Sequence, residues 1–145
     1  MMSALFKSTL LLVMALAWSV ARADIYVIAN ANNQMRPLSN KEAIDLFMGR
    51  TRTFANGDYV LACDLPRDHA SRVTFYQSLT GMTQAQLNSY WSRLMFTGQV
   101  MPPQTIGSEA AMLEMVKRNP GAIGYTSVEP QDKGVRVVLT IKTGH

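Results

Sequence analysis

Ser108–Tyr125, SEAAMLEMVKRNPGAIGY, decides the fold class. Ser108 stands where a helix begins, and its hydroxyl can accept from a free backbone N–H of the first turn. Met112, Met115 and Val116 recur at i, i+3 and i+4 and give one apolar face. Lys117 and Arg118 fall in the last turn, where the helix dipole favours cations. Asn119-Pro120-Gly121 stops the helix, because proline cannot continue it and glycine tolerates left-handed backbone. Ala122-Ile123-Gly124-Tyr125 then reads as a short buried strand whose small residues allow close backbone approach.

The same alternation extends in both directions. Ile25–Ala29 is a compact apolar run and reads as a buried strand. Ser39-Asn40-Lys41-Glu42 fits a capping box for a short helix with Ile44, Phe47 and Met48 on its inner face, ended by Gly49. Asn56-Gly57 marks a turn before a second strand, Tyr59–Cys63. Asp64–Asp68 is a loop into a helix from about His69 to Leu79, with Asp68 as N-cap and Val73, Tyr76 and Leu79 or Thr80 facing inward. Gly81 breaks that helix. Thr83–Gln86 is a second capping box, followed by Leu87, Tyr90, Trp91, Leu94 and Met95 at helical spacing. Gly98 and Pro102-Pro103 close that region, and Val135–Ile141 is the final strand. Alternating strands and helices predict an α/β layer, with helices covering a mixed or parallel sheet.

The N-terminus has the marks of a secretory signal. Lys7 is positive, Leu10–Trp18 is a short apolar run, and Ala21-Arg22-Ala23 is a small-x-small cleavage site. The apolar run is shorter than the roughly 20 residues that span a bilayer. The sequence therefore predicts a signal peptide over 1–23 and one domain over 24–145, exported to the periplasm. Cleavage leaves 122 of the 145 residues, enough for a single core. It also removes Lys7 and Arg22, so 12 basic residues face 10 acidic ones. A net charge near +2 is too mild to argue for nucleic acid.

Chemistry-bearing residues are few. Cys63 is the sole cysteine, so no internal disulfide forms, and its place in a strand predicts burial. His69 and His145 offer no metal-ligand spacing. Gly-x-Ser-x-Gly, His-Glu-x-x-His and Gly-Lys-Ser/Thr motifs are absent, and the sequence predicts no enzyme, metal or cofactor. A Cys63–His69 nucleophile–base pair would need an exposed thiol beside the imidazole. The candidate site is the junction Leu65–Arg72. A helix start presents unpaired N–H groups and partial positive charge, a natural seat for an oxyanion. Arg67 and Arg72 add guanidinium forks, Ser71 a hydroxyl, Ala70 a backbone N–H and His69 a nitrogen donor. Asp68 opposes an anion there. The alternative is that Asp68 only caps the helix and the arginines are solvated.

Three segments carry a resemblance. PLSNKEAIDLFMGRTRTFANGD (37–58) is similar to a helix-to-loop segment of the phosphate-specific periplasmic substrate-binding proteins of ABC importers. VTFYQSLTGMTQAQLNSYWSRLMFTG (73–98) resembles that family's Phe-containing helix and Trp-Phe-x-Gly segment, through Phe75, Trp91, Phe96 and Gly98. NPGAIGY (119–125) is the third, and together they run through almost the whole of residues 24–145. The resemblance implies a single α/β lobe like one domain of a type II periplasmic receptor, with a mixed sheet flanked by helices. In the full-length family two lobes close on phosphate, and one supplies an Arg and a Ser-Gly-Thr at the start of the Phe helix. Counting back from Phe75, His69-Ala70-Ser71 takes the Ser-Gly-Thr place, and Arg67 lies two positions later than the usual Arg. One lobe cannot enclose an ion, so modest affinity follows unless two chains meet. Two functions of different class result. The first is binding of inorganic phosphate or a related oxyanion with an ABC-type uptake system. The second is a periplasmic interaction or sensor module, meeting a membrane transporter or envelope protein, that has lost high-affinity binding. An Asp68 salt bridge to Arg67 or Arg72 would favour the second.

Overall fold

A computed structural model describes residues 24–98 and 100–143. The signal segment expected over 1–23 and His145 lie outside the described residues. Along the chain run β1 (Ile25–Asn30), α1 (Asn40–Phe47), β2 (Leu61–Asp64), α2 (Ala70–Thr80) and α3 (Gln84–Thr97). They are followed by β3 (Gln104–Thr105), α4 (Glu109–Arg118), β4 (Ala122–Thr126) and β5 (Val135–Ile141). The sheet order is β3-β2-β4-β1-β5. β2 runs parallel to both β3 and β4, whereas β1 is antiparallel to β4 and β5. The architecture is the mixed sheet flanked by helices that the sequence predicts.

Helix starts follow the capping residues. Ser39 with Glu42 and Thr83 with Gln86 form complete capping boxes, and Ser108 accepts from the Ala111 N–H at 3.1 Å. β4 is buried along its whole length, so both faces of the sheet are covered there. Its neighbouring residues Gly124 and Tyr125 show how, since successive strand residues face opposite ways. Gly124 lies against Met112 and Val116 of α4. Tyr125 stacks on Phe75 of α2 with centroids 3.9 Å apart, and meets the Phe47 edge from α1 at 6.0 Å. α4 thus covers one face, and α1 with α2 the other. Gly121 allows a second close approach: a β-carbon there would lie 2.9 Å from the Tyr59 carbonyl oxygen. Asn30, ending β1, donates from Nδ2 to the Val116 and Lys117 carbonyls at 3.0 and 2.9 Å. It thereby satisfies carbonyls at the C-terminal end of α4 that have no helical partner.

Four expectations are corrected. β2 begins at Leu61 rather than Tyr59, and Tyr59 is 82% exposed. The inner face of α2 is Ser71, Arg72, Phe75, Tyr76 and Leu79. Val73, two residues from Phe75 and so on the far side of the helix, points outward. In α3 Leu87 and Trp91 are buried, but Met95 is 58% exposed, so the apolar face ends before the last turn of the helix. The two-residue β3 pairs Gln104 with Cys63 and Thr105 with Asp64, in a segment whose prolines read as loop. A strand that short carries no periodic signal.

Candidate functional site

Because β2, β3 and β4 are parallel, their carboxyl ends, Asp64, Thr105 and Thr126, lie along one edge of the sheet. α2 and α4 both start there, each following a parallel strand. Open α/β sheets bind ligands along such an edge. The two helix starts differ in charge. At α4 the first residue is Glu109, whose carboxylate accepts from the Ser127 N–H and, at 2.9 Å, from the Ser127 hydroxyl. A carboxylate therefore already occupies that edge position. α2 has no acidic residue in its first turn.

The chain reaches α2 through Asp64. This side chain is buried, and four donors converge on its carboxylate. Arg72 Nε lies 3.1 Å from Oδ2, and the Tyr76 hydroxyl 2.8 Å from the same oxygen. Oδ1 accepts from the Tyr125 hydroxyl and from the Leu65 N–H. Burial first, and then the Asp64 charge, push both phenols far above the usual tyrosine range. Both hydroxyls accordingly stay protonated and remain donors. Tyr76 also lies beneath the Arg72 guanidinium, 5.1 Å from carbon to ring centroid.

The five residues selected from the sequence divide into two groups. Arg72 is buried, with Nη1 donating to Gln84 Oε1 at 3.1 Å and to the Arg67 carbonyl at 3.5 Å. Arg67 is exposed, and among the described residues its guanidinium joins no ion pair. Arg67 and Arg72 meet at a cleft of about 220 Å³ bordered also by Asp64 and α3. His69, Ala70 and Ser71 do not border it; they form the helix start itself. Two details differ from expectation. His69, not Asp68, is the N-cap, and its Nδ1 accepts from the Ser71 N–H at 3.1 Å instead of donating. The Arg72 partner is Asp64, and no described ion pair joins Asp68 to either arginine. His69 takes the cap because its extended backbone lets Nδ1 reach two residues ahead. The sequence places Tyr76 on the inner face of its helix and Tyr125 in a buried strand but does not join them to Asp64; a carboxylate between an apolar strand and an Arg eight residues on is the signal that this network leaves.

Cys63 is fully buried, and its thiol is pushed up to about 11, chiefly by burial and then by the Asp64 charge. A thiol held protonated gives the Cys63–His69 pair no nucleophile. No group of His, Cys, Asp and Glu suited to a metal ion occurs among the described residues. No described helix is long and apolar enough to cross a membrane.

No protein-family model and no curated protein matches the sequence. Solved structures match the fold. An ABC-type phosphate transport receptor from Vibrio cholerae superposes with a TM-score of 0.61 at 16% identity, over 80% of this chain and 45% of that one. A protein described as a phosphate ABC transporter substrate-binding protein, with bound phosphate, from Clostridium perfringens gives 0.63 at 16% identity over 80% and 44%. PstS from Borrelia burgdorferi gives 0.56 at 11% identity over 72% and 40%. This chain thus spans less than half the length of these neighbours. The fold of this chain is that of a single domain of the phosphate ABC transporter substrate-binding proteins.

Proposed function

We propose that residues 24–145 form an exported periplasmic domain that binds phosphate or a related oxyanion, in association with an ABC-type uptake system. The observation that carries this reading is the contrast between the two helix starts on the carboxyl edge. The α4 start holds its own glutamate, whereas the α2 start lacks a first-turn acid and stands beside the exposed Arg67. Backbone N–H groups and the helix dipole favour a small anion at such a place. The Ala70 and Ser71 N–H groups, the Ser71 hydroxyl and the Arg67 guanidinium are the groups that would hold it. Arg72, fixed by Asp64 and joined to the Arg67 carbonyl, adds a second positive charge nearby. His69 occupies the Ser71 N–H in the free protein, so the ion competes with an imidazole for that donor. Competition and an open single lobe both point to modest affinity.

Isothermal titration of the purified protein with phosphate and with sulfate tests the reading. Heat at millimolar phosphate is expected, with Arg67→Ala and Ser71→Ala each weakening the affinity. One charge-assisted hydrogen bond contributes about 1.5–3 kcal/mol, so Arg67→Ala should cost roughly 10-fold or more. Absence of heat and of any thermal shift with either ion would refute it.

A further inference from the structure

The cleft beside the α2 start has a composition that a bare tetrahedral ion does not require. Its cations are Arg67 and Arg72. The carboxylate on its wall, Asp64, is already engaged by Arg72, Tyr76, Tyr125 and the Leu65 N–H, so among the described residues Arg67 is left as the unmatched charge of the cleft. Asn88 and Ser92, one turn apart on α3, and Thr105, which ends β3, also line it. Asn88, Trp91, Ser92 and Met95 follow the i, i+3, i+4, i+7 spacing of one helix face. That face sets the Asn88 amide and the Ser92 hydroxyl beside Trp91 and Met95 along the cleft. Asn88 offers both a donor and an acceptor, and the hydroxyls of Ser92 and Thr105 do the same, which is what alcohol groups of a ligand need. The volume of about 220 Å³ corresponds to roughly seven waters, more than an ion of five heavy atoms fills.

We infer that this cleft binds a phosphate monoester of a small polyol, with its phosphoryl group toward Arg67 and Arg72 and its hydroxyls on Asn88, Ser92 and Thr105. The inference rests on the oxyanion reading through Arg67, the residue that the α2 start and the cleft share, and narrows its ligand class by placing the phosphoryl group on the cleft side of that residue.

Titration of the full protein with glycerol 3-phosphate, inorganic phosphate and glycerol tests it. The ester is expected to bind about 10-fold more tightly than inorganic phosphate, a difference near 1.4 kcal/mol, and glycerol alone not at all. Asn88→Ala and Ser92→Ala should erase that preference and leave inorganic phosphate affinity unchanged. Arg67→Ala should weaken both ligands. Thermal melting coincident with the parent protein shows that the α3 variants fold. An ester no tighter than phosphate, or a preference that survives both α3 substitutions, overturns the inference. If phosphate binds and depends on Ser71 while the ester has no advantage, the cleft assignment alone fails. If neither ligand binds, the oxyanion reading fails with it.

Discussion

Arg72 and Asp64 form an ion pair at 3.1 Å with side chains only 9% and 6% exposed, which ties the start of α2 to the end of β2. An isolated buried charge is costly, and this pair is tolerable because both phenols and the Leu65 amide complete the carboxylate's hydrogen bonds. Besides adding charge at the cleft, Arg72 holds the Arg67 carbonyl and Gln84, and so the loop that carries the exposed Arg67.

Asp64→Asn keeps the shape but leaves Arg72 without its counter-charge. Removing one partner of a buried pair costs about 3–5 kcal/mol. Urea unfolding followed by circular dichroism should show a loss of that order. A loss under about 1 kcal/mol would mean that the pair contributes little beyond a neutral hydrogen bond.

His69→Ala separates capping from ligand contact. The substitution removes the imidazole acceptor and should lower stability by about 1 kcal/mol, the usual cost of losing an N-cap. It also frees the Ser71 N–H, so phosphate affinity should hold or rise. A several-fold fall in affinity in titration would show instead that the imidazole touches the ion.

The fold was legible where residues obey local rules. The SEAAMLEMVKRNPGAIGY stretch gives its helix, stop and strand within one or two residues, because a serine cap, an apolar period and NPG all act locally. The face of α2 was misread through Val73, since an apolar residue beside Phe75 looks internal until the sheet fixes the helix phase. The Asp64 network was invisible for a different reason. Its members sit 8, 12 and 61 residues from Asp64, and only the parallel pairing of β2 with β4 brings Tyr125 to that carboxylate. His69 as cap was equally hidden, because imidazole is a rare capping acceptor and Asp68 stands one position earlier with the commoner side chain.

Gly124→Ala tests the α4–β4 contact. A β-carbon there would collide with Met112 Sδ, crowd Met112 Cγ at 3.1 Å and touch Val116 Cγ2. Overpacking of this kind costs about 1–3 kcal/mol. Combining it with Met112→Ala should recover part of the loss, because the two sites share one contact. Purely additive losses in a double-mutant cycle would show that the helix lies farther from the strand.

The Cys63 thiol provides a pH test with a definite sign. Burial raises its folded value to about 11 from an ordinary 9.0, so between those values the unfolded chain loses a proton that the folded chain keeps. Stability from this group is therefore complete below about pH 9 and declines as pH climbs toward 11. Cys63→Ser or Cys63→Ala should flatten the decline that this group contributes in alkaline urea titrations. The same burial predicts that an aromatic disulfide reagent at pH 8 leaves the native thiol unmodified and reacts fully in denaturant. Rapid stoichiometric modification of the native protein would show that the β2 strand opens readily and that the thiol is not held in the core.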